Sequence, residues 1–172
     1  MKFYIAKITK QNGGSIDIKA SEPLEGLQQT DNFASGYIFS GDVSVEGILT
    51  NVSGHINMNV VAQTQWKSEC SRCLDLVEGN IEILINENFS QIRTSDEEPQ
   101  DSEDYTFEGE WLEIDRAIAD AILVSLPIAQ LCKEDCKGLC PDCGTDMNET
   151  KCSCSENKIN PAMEKLKNFN KE

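Results

Sequence analysis

The sequence predicts an α+β protein in which an antiparallel β-meander packs against one helix and a cysteine-rich, zinc-ribbon-like module follows. Three observations support this prediction: a long stretch of alternating apolar and polar residues, one segment with helical spacing, and six of eight cysteines close together near the C-terminal end. At 172 residues, one compact domain with a small appended module is the natural expectation. We therefore predict a β-rich body over residues 1–130 and a cysteine-rich module over residues 131–172.

The body begins with one predicted strand and continues as a meander. Apolar residues alternate with polar ones over residues 2–9, which predicts a strand, whereas residues 11–34 contain turn formers and little periodicity. The alternation then extends from residue 43 to residue 89 in three segments, and the Cys70–Cys73 pair lies in the second gap between them. We predict three antiparallel strands with this cysteine pair at one hairpin end.

After the meander, the spacing of apolar residues changes from strand-like to helical. Residues 94–104 hold six acids and no base, which predicts a mobile loop. From Asp115, the predicted N-cap, apolar residues recur at helical spacing until Pro127 ends the segment. A last short helix is predicted from Asn160, because a proline follows at the favoured first position of a helix. The residues expected to pack the first helix on the sheet are Ile118, Ile122 and Leu126.

Metal binding is the predicted role of the eight cysteines. Disulfides require an oxidising compartment. The N-terminus lacks the apolar core of a signal peptide, and no apolar run approaches the roughly 20 residues of a membrane span. We therefore expect a cytoplasmic protein that does not enter a membrane. Buried structural cysteines are also disfavoured, because charged residues, glycine and proline surround each of them.

Zinc is the expected metal. The segment from Cys140 to Gly144, C-P-D-C-G, has the form of a knuckle, in which a tight turn brings two sulfurs to the roughly 3.8 Å separation of tetrahedral coordination. Gly144 supplies the positive φ that such a turn tends to need. A rubredoxin-type iron site would require a second copy of this motif, whereas here the segment closes with Cys152 and Cys154. The sequence predicts one or two Zn²⁺ ions.

The grouping of the ligands leaves two possibilities. Spacing favours two sets of four, of which one would tie the upstream hairpin to the C-terminal module. In the alternative, a single group of four holds metal and the other thiols are idle. The two predicted sets are Cys140, Cys143, Cys152 and Cys154, and Cys70, Cys73, Cys132 and Cys136.

Charge is distributed unevenly along the chain. Residues 1–130 hold 8 Lys and Arg against 22 Asp and Glu, whereas residues 131–172 hold 7 Lys against 8 acids. An acidic body repels phosphate backbones, so a basic protein is its more natural partner. Any direct RNA contact would be small and would run through the lysines of the module, unless these lysines only balance neighbouring acids and thiolates. They are Lys133, Lys137, Lys151, Lys158, Lys165, Lys167 and Lys171.

The sequence contains no recognisable catalytic arrangement. His55 is its single histidine and is expected at the surface, in a turn or at the start of a strand. A Ser/His/Asp set, a phosphate-binding loop and a dinucleotide fingerprint are all absent from the sequence. We predict a protein that is not an enzyme and has no small-molecule substrate.

Several motifs together resemble one bacterial family. They are C-S-R-C-L from Cys70, an acidic segment, a helix ending in L-P, L-C-K-E-D-C-K-G-L-C-P-D-C-G-T-D-M-N from Leu131, and N-P-A-M-E-K-L from Asn160. This combination resembles the YceD-type proteins, large ribosomal RNA subunit accumulation proteins, over roughly residues 43–169. Some members keep the first C-x-x-C but lack the later motif, which supports treating the set that contains Cys70 as a separate one.

The resemblance implies a function and a partner. It implies a cytoplasmic, non-enzymatic factor for 23S rRNA accumulation or processing, and hence for assembly of the large ribosomal subunit. The implied partner is a precursor of that subunit, reached through a basic ribosomal protein or through RNA. The alternative is a zinc-thiolate redox sensor, in which oxidation ejects the metal and releases a partner.

Overall fold

The computed structural model describes residues 1–23, 36–92 and 105–154. Within these ranges the chain forms seven strands and two helices. In chain order they are β1 (Lys2–Tyr4), α1 (Ala6–Thr9), β2 (Ser15–Glu22), β3 (Tyr37–Val52), β4 (His55–Glu69), β5 (Leu76–Gln91), β6 (Tyr105–Phe107), β7 (Trp111–Glu113) and α2 (Asp115–Ser125).

Five of these strands form one sheet in the order β2-β3-β4-β5-β6. Neighbours are antiparallel except for the parallel pair β5 and β6, and β1 pairs with β7 in a separate two-stranded sheet. The three long strands β3, β4 and β5 are the predicted meander, which is confirmed. Their alternation places one apolar face inward, where Leu49 lies opposite Met58 and Val60 opposite Ile85.

Helix α2 covers the inner face of the sheet. Ile118 and Ile122 are both 0% exposed, and Leu126 packs at the margin of the same core. The helix ends at Ser125, and the extended backbone of the C-cap residue Leu126 leads into Pro127, where the sequence predicted the end of the helix. The structure is therefore α+β, with an antiparallel sheet and a packed helix.

The first predicted strand, over residues 2–9, was wrong in its second half. The strand ends at Tyr4, and Ala6–Thr9 form one helical turn that buries Ile5 and Ile8. A spacing of three between the two isoleucines suits a helical turn better than a strand. The hydrogen bond from Thr9 N to Ile5 O closes this turn.

Residues 11–34 also contain a strand that the sequence analysis missed. Ser15–Glu22 pairs antiparallel with β3 over eight positions, at the edge of the sheet. Of its side chains only Ile18 is fully buried, so the apolar alternation is too sparse to predict a strand. The rest of that segment, residues 24–35, lies outside the described residues.

The predicted N-cap role of Asp115 was wrong. Ile114 occupies the N-cap position of α2, without a side-chain hydrogen bond to the helix. The Asp115 carboxylate instead accepts hydrogen bonds of 2.6 and 2.7 Å from the amino group of Met1. A full positive charge is a stronger partner for a carboxylate than a backbone N–H group.

Three other expectations concern the surface and the undescribed residues. His55 is exposed, as predicted, and its Nδ1 lies 3.1 Å from Ser90 Oγ. The predicted loop over 94–104 and the predicted helix from Asn160 lie outside the described residues. Among the residues that the structure describes, no helix combines the length and the apolar character needed to cross a bilayer.

Candidate metal centres

The first cysteine set starts at the hairpin between β4 and β5. Cys70 directly follows β4, and the turn is closed by hydrogen bonds from Leu74 N to Cys70 O (3.0 Å) and from Cys70 N to Asp75 O (2.8 Å). This tight turn places Cys73 beside Cys70 with both residues buried. The sheet therefore ends in a rigid pair of thiols at the margin of the core.

The segment that follows α2 completes this set with Cys132 and Cys136. Two hydrogen bonds hold it against the hairpin. The backbone N of Ser71 donates to Gln130 O (2.8 Å), and the guanidinium Nη1 of Arg72 donates to Cys136 O (2.7 Å). The sulfur of Cys136 lies 3.8 Å from that of Cys70, and the sulfur of Cys132 lies 3.4 Å from that of Cys73. All four sulfurs lie within 4.8 Å of one another.

The second cysteine set starts with a turn of the same form. Gly144 N donates to Cys140 O (2.8 Å), and Cys140 N donates to Thr145 O (2.8 Å), which repeats the bonding pattern of the first turn. Gly144 has φ +73°, as the motif predicted. Cys152 returns to 3.4 Å from Cys140, sulfur to sulfur. With Cys143 and Cys154, these sulfurs also lie within 4.8 Å of one another.

Asn148 connects the two sets. It lies in the polar loop of the second set, yet its amide Nδ2 lies 3.5 Å from the sulfur of Cys136 in the first set. Its Oδ1 accepts a hydrogen bond from Lys137 N (2.9 Å), and its backbone N donates to Asp146 Oδ1 (2.8 Å). Hydrogen bonds from neighbouring groups orient ligands and offset thiolate charge. The second set therefore supports the first through this side chain.

Gly138 allows the segment between the two sets to pass close to the first turn. Its φ is +74°, and a Cβ on it would lie 2.8 Å from the backbone O of Arg72. Next to it, Leu139 N donates to that same oxygen at 2.9 Å. Only glycine combines this φ with this close approach.

Opposing pKa shifts occur within the first set. Burial raises the pKa of the Cys70 thiol, but hydrogen bonds from the backbone at Cys73, Arg72 and Cys132 outweigh burial and lower this pKa to about 6. A hydrogen bond from the Asp75 backbone lowers the pKa of Cys73, but burial, the Asp75 carboxylate and the neighbouring thiols together raise it. One sulfur thus ionises readily and disfavours ionisation of the next.

The second set shows the same opposition. The hydroxyl of Thr145 and its backbone lower the pKa of Cys143 to about 6. A hydrogen bond with Cys140 raises the pKa of Cys152, and one with Cys143 raises that of Cys154 to about 12. Four thiols this close cannot all ionise unless a cation offsets their repulsion.

The donor sets fit a divalent soft-to-borderline ion. Tetrahedral coordination with Zn–S near 2.3 Å places sulfurs roughly 3.8 Å apart, and the sulfur separations of 3.4 and 3.8 Å are close to this value. Four thiolates without an open position are typical of structural rather than catalytic zinc sites. Both cysteine sets are therefore compatible with zinc.

The structure brings together the same two groups of four that the spacing favoured. Sequence reasoning missed the groups around them, namely Asn148, Gly138 and the Arg72 guanidinium. The contacts of Asn148 and Arg72 with Cys136 carried no signal, because the residues that they join are more than ten positions apart in the chain. The sequence analysis also missed Leu74, whose position after C-x-x-C matches that of Gly144 and whose φ is +66°.

The chain is similar to proteins of several mycobacteria. An uncharacterized protein of Mycobacterium leprae (strain TN) is 36% identical over 84 residues, or 46% of this chain and 37% of the relative. Uncharacterized proteins of Mycobacterium bovis and Mycobacterium tuberculosis are each 31% identical over 113 residues, or 65% of this chain and 53% of the relative. The chain thus spans about half or less of the length of these curated relatives. No solved structure matches it.

A family match covers most of the chain. Residues 58–170 match the family described as large ribosomal RNA subunit accumulation protein YceD. This range begins in β4 and contains all eight cysteines. The chain therefore belongs to the YceD family.

Proposed function

We propose that the protein is a non-enzymatic factor for the accumulation of large-subunit ribosomal RNA, acting on a precursor of the large ribosomal subunit. The match of residues 58–170 to the YceD family carries this proposal. Each set supplies four cysteine sulfurs within 4.8 Å of one another, and four protein thiolates are typical of structural rather than catalytic zinc sites. The family match gives no support to the alternative of a zinc-thiolate redox sensor.

The second part of the proposal is that each cysteine set holds one structural Zn²⁺. A structural zinc contributes an apparent binding free energy of roughly 10 to 16 kcal/mol, which becomes folding free energy. The segment after α2 needs such support, because the described part of it has few buried apolar side chains. In this proposal, residues 131–172 are a zinc-ribbon-like module attached to a body of residues 1–130.

Elemental analysis tests the metal. Freshly purified, reduced protein should contain two equivalents of zinc. The variants Cys70→Ser and Cys143→Ser should each contain one, because each removes a ligand from a different set. Protein without zinc would contradict the proposal, and a single equivalent in the parent would show that only one set binds metal.

The third part concerns the partner. We propose that a basic ribosomal protein docks on the acidic body, where Asp17 and Glu82 are exposed on the outer face of the sheet. The competing route is direct RNA contact through Lys133, Lys137 and Lys151, which are also exposed. Binding of RNA through these three lysines would neutralise only a few phosphates, so its affinity would depend only weakly on salt concentration.

Sedimentation of tagged protein from lysate tests the function and separates the two routes. The parent should co-sediment with large-subunit precursors. Changing the three lysines to Ala should leave this association intact, whereas Asp17→Asn with Glu82→Gln should weaken it. The reverse result would favour RNA contact, and a parent that never accompanies precursors would contradict the proposed function.

A further inference from the structure

An apolar groove lies beside the first cysteine set. It has a volume of about 610 Å³, within the range of about 300–1,000 Å³ that is typical of ligand sites. Four large apolar side chains line it and stay exposed in the described structure. They are Ile38 (67% exposed), Leu74 (58%), Leu76 (63%) and Ile128 (107%).

Hydrogen bonds hold the walls of the groove in place. The hydroxyl of Tyr37, at the start of β3, donates to Pro127 O at 2.6 Å, and the side-chain amide of Gln130 contacts both of these residues. Ser71 N, in the first cysteine turn, donates to Gln130 O at 2.8 Å. The segment that carries Ile128 is therefore fastened at both sides. Ile128 is therefore exposed on a segment that hydrogen bonds hold in place on both sides of it.

Leu74 occupies a backbone conformation that disfavours leucine. Its φ of +66° matches the +73° of Gly144, which holds the same position in the second turn. For a residue with a Cβ, the left-handed region is unfavourable, because the Cβ comes too close to the following carbonyl oxygen. Burial does not repay this cost, because Leu74 remains 58% exposed. The turn itself requires the positive φ, as it does at Gly144, but it does not require a leucine. An exposed leucine where glycine would be unstrained points to a use of its side chain outside the fold.

The charge around the groove indicates what it binds. Among the described residues that line it, Glu69 is the one charged side chain. Cys70 forms part of the wall, and four thiolates with one Zn²⁺ would carry a net charge of −2 behind it. The chain as a whole has a formal net charge of −15. An apolar anchor flanked by basic residues is complementary to this surface.

We infer that the groove formed by Ile38, Leu74, Leu76 and Ile128 binds a short segment of a basic protein, with an apolar side chain inserted beside Leu74. This inference rests on the proposed function in that the zinc-bound set supplies part of the negative charge and a basic ribosomal protein is the proposed partner. A few apolar contacts in a rigid pocket carry most of the binding energy of such interfaces.

Fluorescence anisotropy with three labelled peptides tests the inference on the full, zinc-loaded chain. The first peptide has lysines on both sides of a Leu-Phe-Leu core. The second replaces the core with serines, and the third replaces the lysines with glutamates. The first peptide should bind, and each of the other two should bind at least about tenfold more weakly.

Two groove variants and one matched control locate the site. Leu74→Gly removes the anchor contact without disturbing the turn, and Ile128→Ser changes a fully exposed side chain. Each should weaken binding of the first peptide by about tenfold or more. Leu84→Ser, at a residue 71% exposed on the outer face of the sheet, should leave binding unchanged.

Several outcomes would overturn the inference. Equal binding of the first two peptides would show charge attraction alone, and equal binding by the groove variants and the parent would exclude this groove. Self-association that both groove variants abolish in sedimentation velocity would make a second copy the occupant. A labelled RNA oligonucleotide that binds in the same Leu74-dependent way would make RNA the ligand.

The proposed function and the groove fail in different ways. Zinc content and co-sedimentation with large-subunit precursors are measured on the same preparations. A parent protein that holds zinc and co-sediments but does not bind the first peptide overturns the groove alone. A parent that binds the peptide through Leu74 but never accompanies precursors overturns the proposed function alone.

Discussion

Each of the two cysteine sets begins with a turn of the same form, but the two sets lie in different surroundings. In the first set, Cys70, Cys73 and Cys136 are buried and their turn is the end of a long hairpin. In the second set only Cys140 is buried, and Cys143 is exposed. The same local geometry thus forms one centre within the body of the protein and another at its surface.

Sequence separation is the second difference between the sets. A sulfur pair in the first set joins residues 66 positions apart, whereas a pair in the second joins residues 12 positions apart. The entropy that loop closure removes from the unfolded chain grows with the logarithm of the loop length. Closing the longer loop should therefore stabilise the folded chain by about 1.5 kcal/mol more than closing the shorter one. The first set should therefore contribute more to the stability of the whole chain.

The largest predicted effect is the difference between Cys70→Ser and Cys143→Ser. If each set holds one zinc as proposed, both variants should lose one, but Cys70→Ser should also release a long loop and leave a polar group in a buried site. We expect Cys70→Ser to melt on the order of 5 °C or more below Cys143→Ser, since 1 kcal/mol corresponds to about 2–4 °C in a domain of this size. Calorimetry of both variants checks this, and equal melting temperatures would contradict the proposed asymmetry.

Gly138→Ala and Gly144→Ala form the next pair. Both glycines have nearly the same φ, so each alanine costs about 1 kcal/mol or slightly more in backbone strain. Only the Cβ at 138 meets backbone, 2.8 Å from Arg72 O, while the Cβ at 144 meets nothing within 4 Å. Gly138→Ala should cost a further 1–3 kcal/mol or so. Urea unfolding measures the difference, and equal costs would show that the segment can move away from Arg72.

Zinc removal should also distinguish the sets. With a chelator in excess and a zinc-sensitive dye as reporter, we expect release in two phases. The faster phase should come from the second set, because three cysteines of the first set are buried and one is exposed, whereas in the second set only Cys140 is buried. The variant Cys143→Ser should lack the fast phase and Cys70→Ser the slow one. Release in a single phase from the parent would contradict this prediction. It would mean that the two sets open together, and the contact between Asn148 and Cys136 would then be what couples them.

The smallest predicted effect comes from Leu74→Gly. Glycine relieves the left-handed strain but gains freedom in the unfolded chain, so the expected change lies between zero and about 1 kcal/mol of added stability. Leu76→Gly is the control, because Leu76 is similarly exposed but lies in β5. There glycine should cost about 0.5–1 kcal/mol. A clear loss of stability in Leu74→Gly would mean that this leucine serves the fold.

The predictable parts of the fold were those with a strong local period. The alternation in β3, β4 and β5 and the helical spacing through Ile118 and Ile122 both survive in the structure, because each element buries one regular face. Strand β2 was missed because it lies at the sheet edge and buries little. The helical turn Ala6–Thr9 was misread because Phe3 and Ile5 alternate like strand residues, and only the spacing of three from Ile5 to Ile8 indicates a helical turn.

The amino-acid sequence by itself determined which residues are the candidate metal ligands and where the C-x-x-C turns lie. C-x-x-C spacing places two sulfurs together whatever the surroundings, and Gly144 marks the turn that does so. Only the tertiary structure decided which pairs meet and what surrounds them. The Cys70 turn reaches Cys132 and Cys136 because a hairpin end and a helix end lie side by side, held by the Ser71–Gln130 and Arg72–Cys136 contacts. Such contacts join residues that are distant in the chain, and no local spacing encodes them.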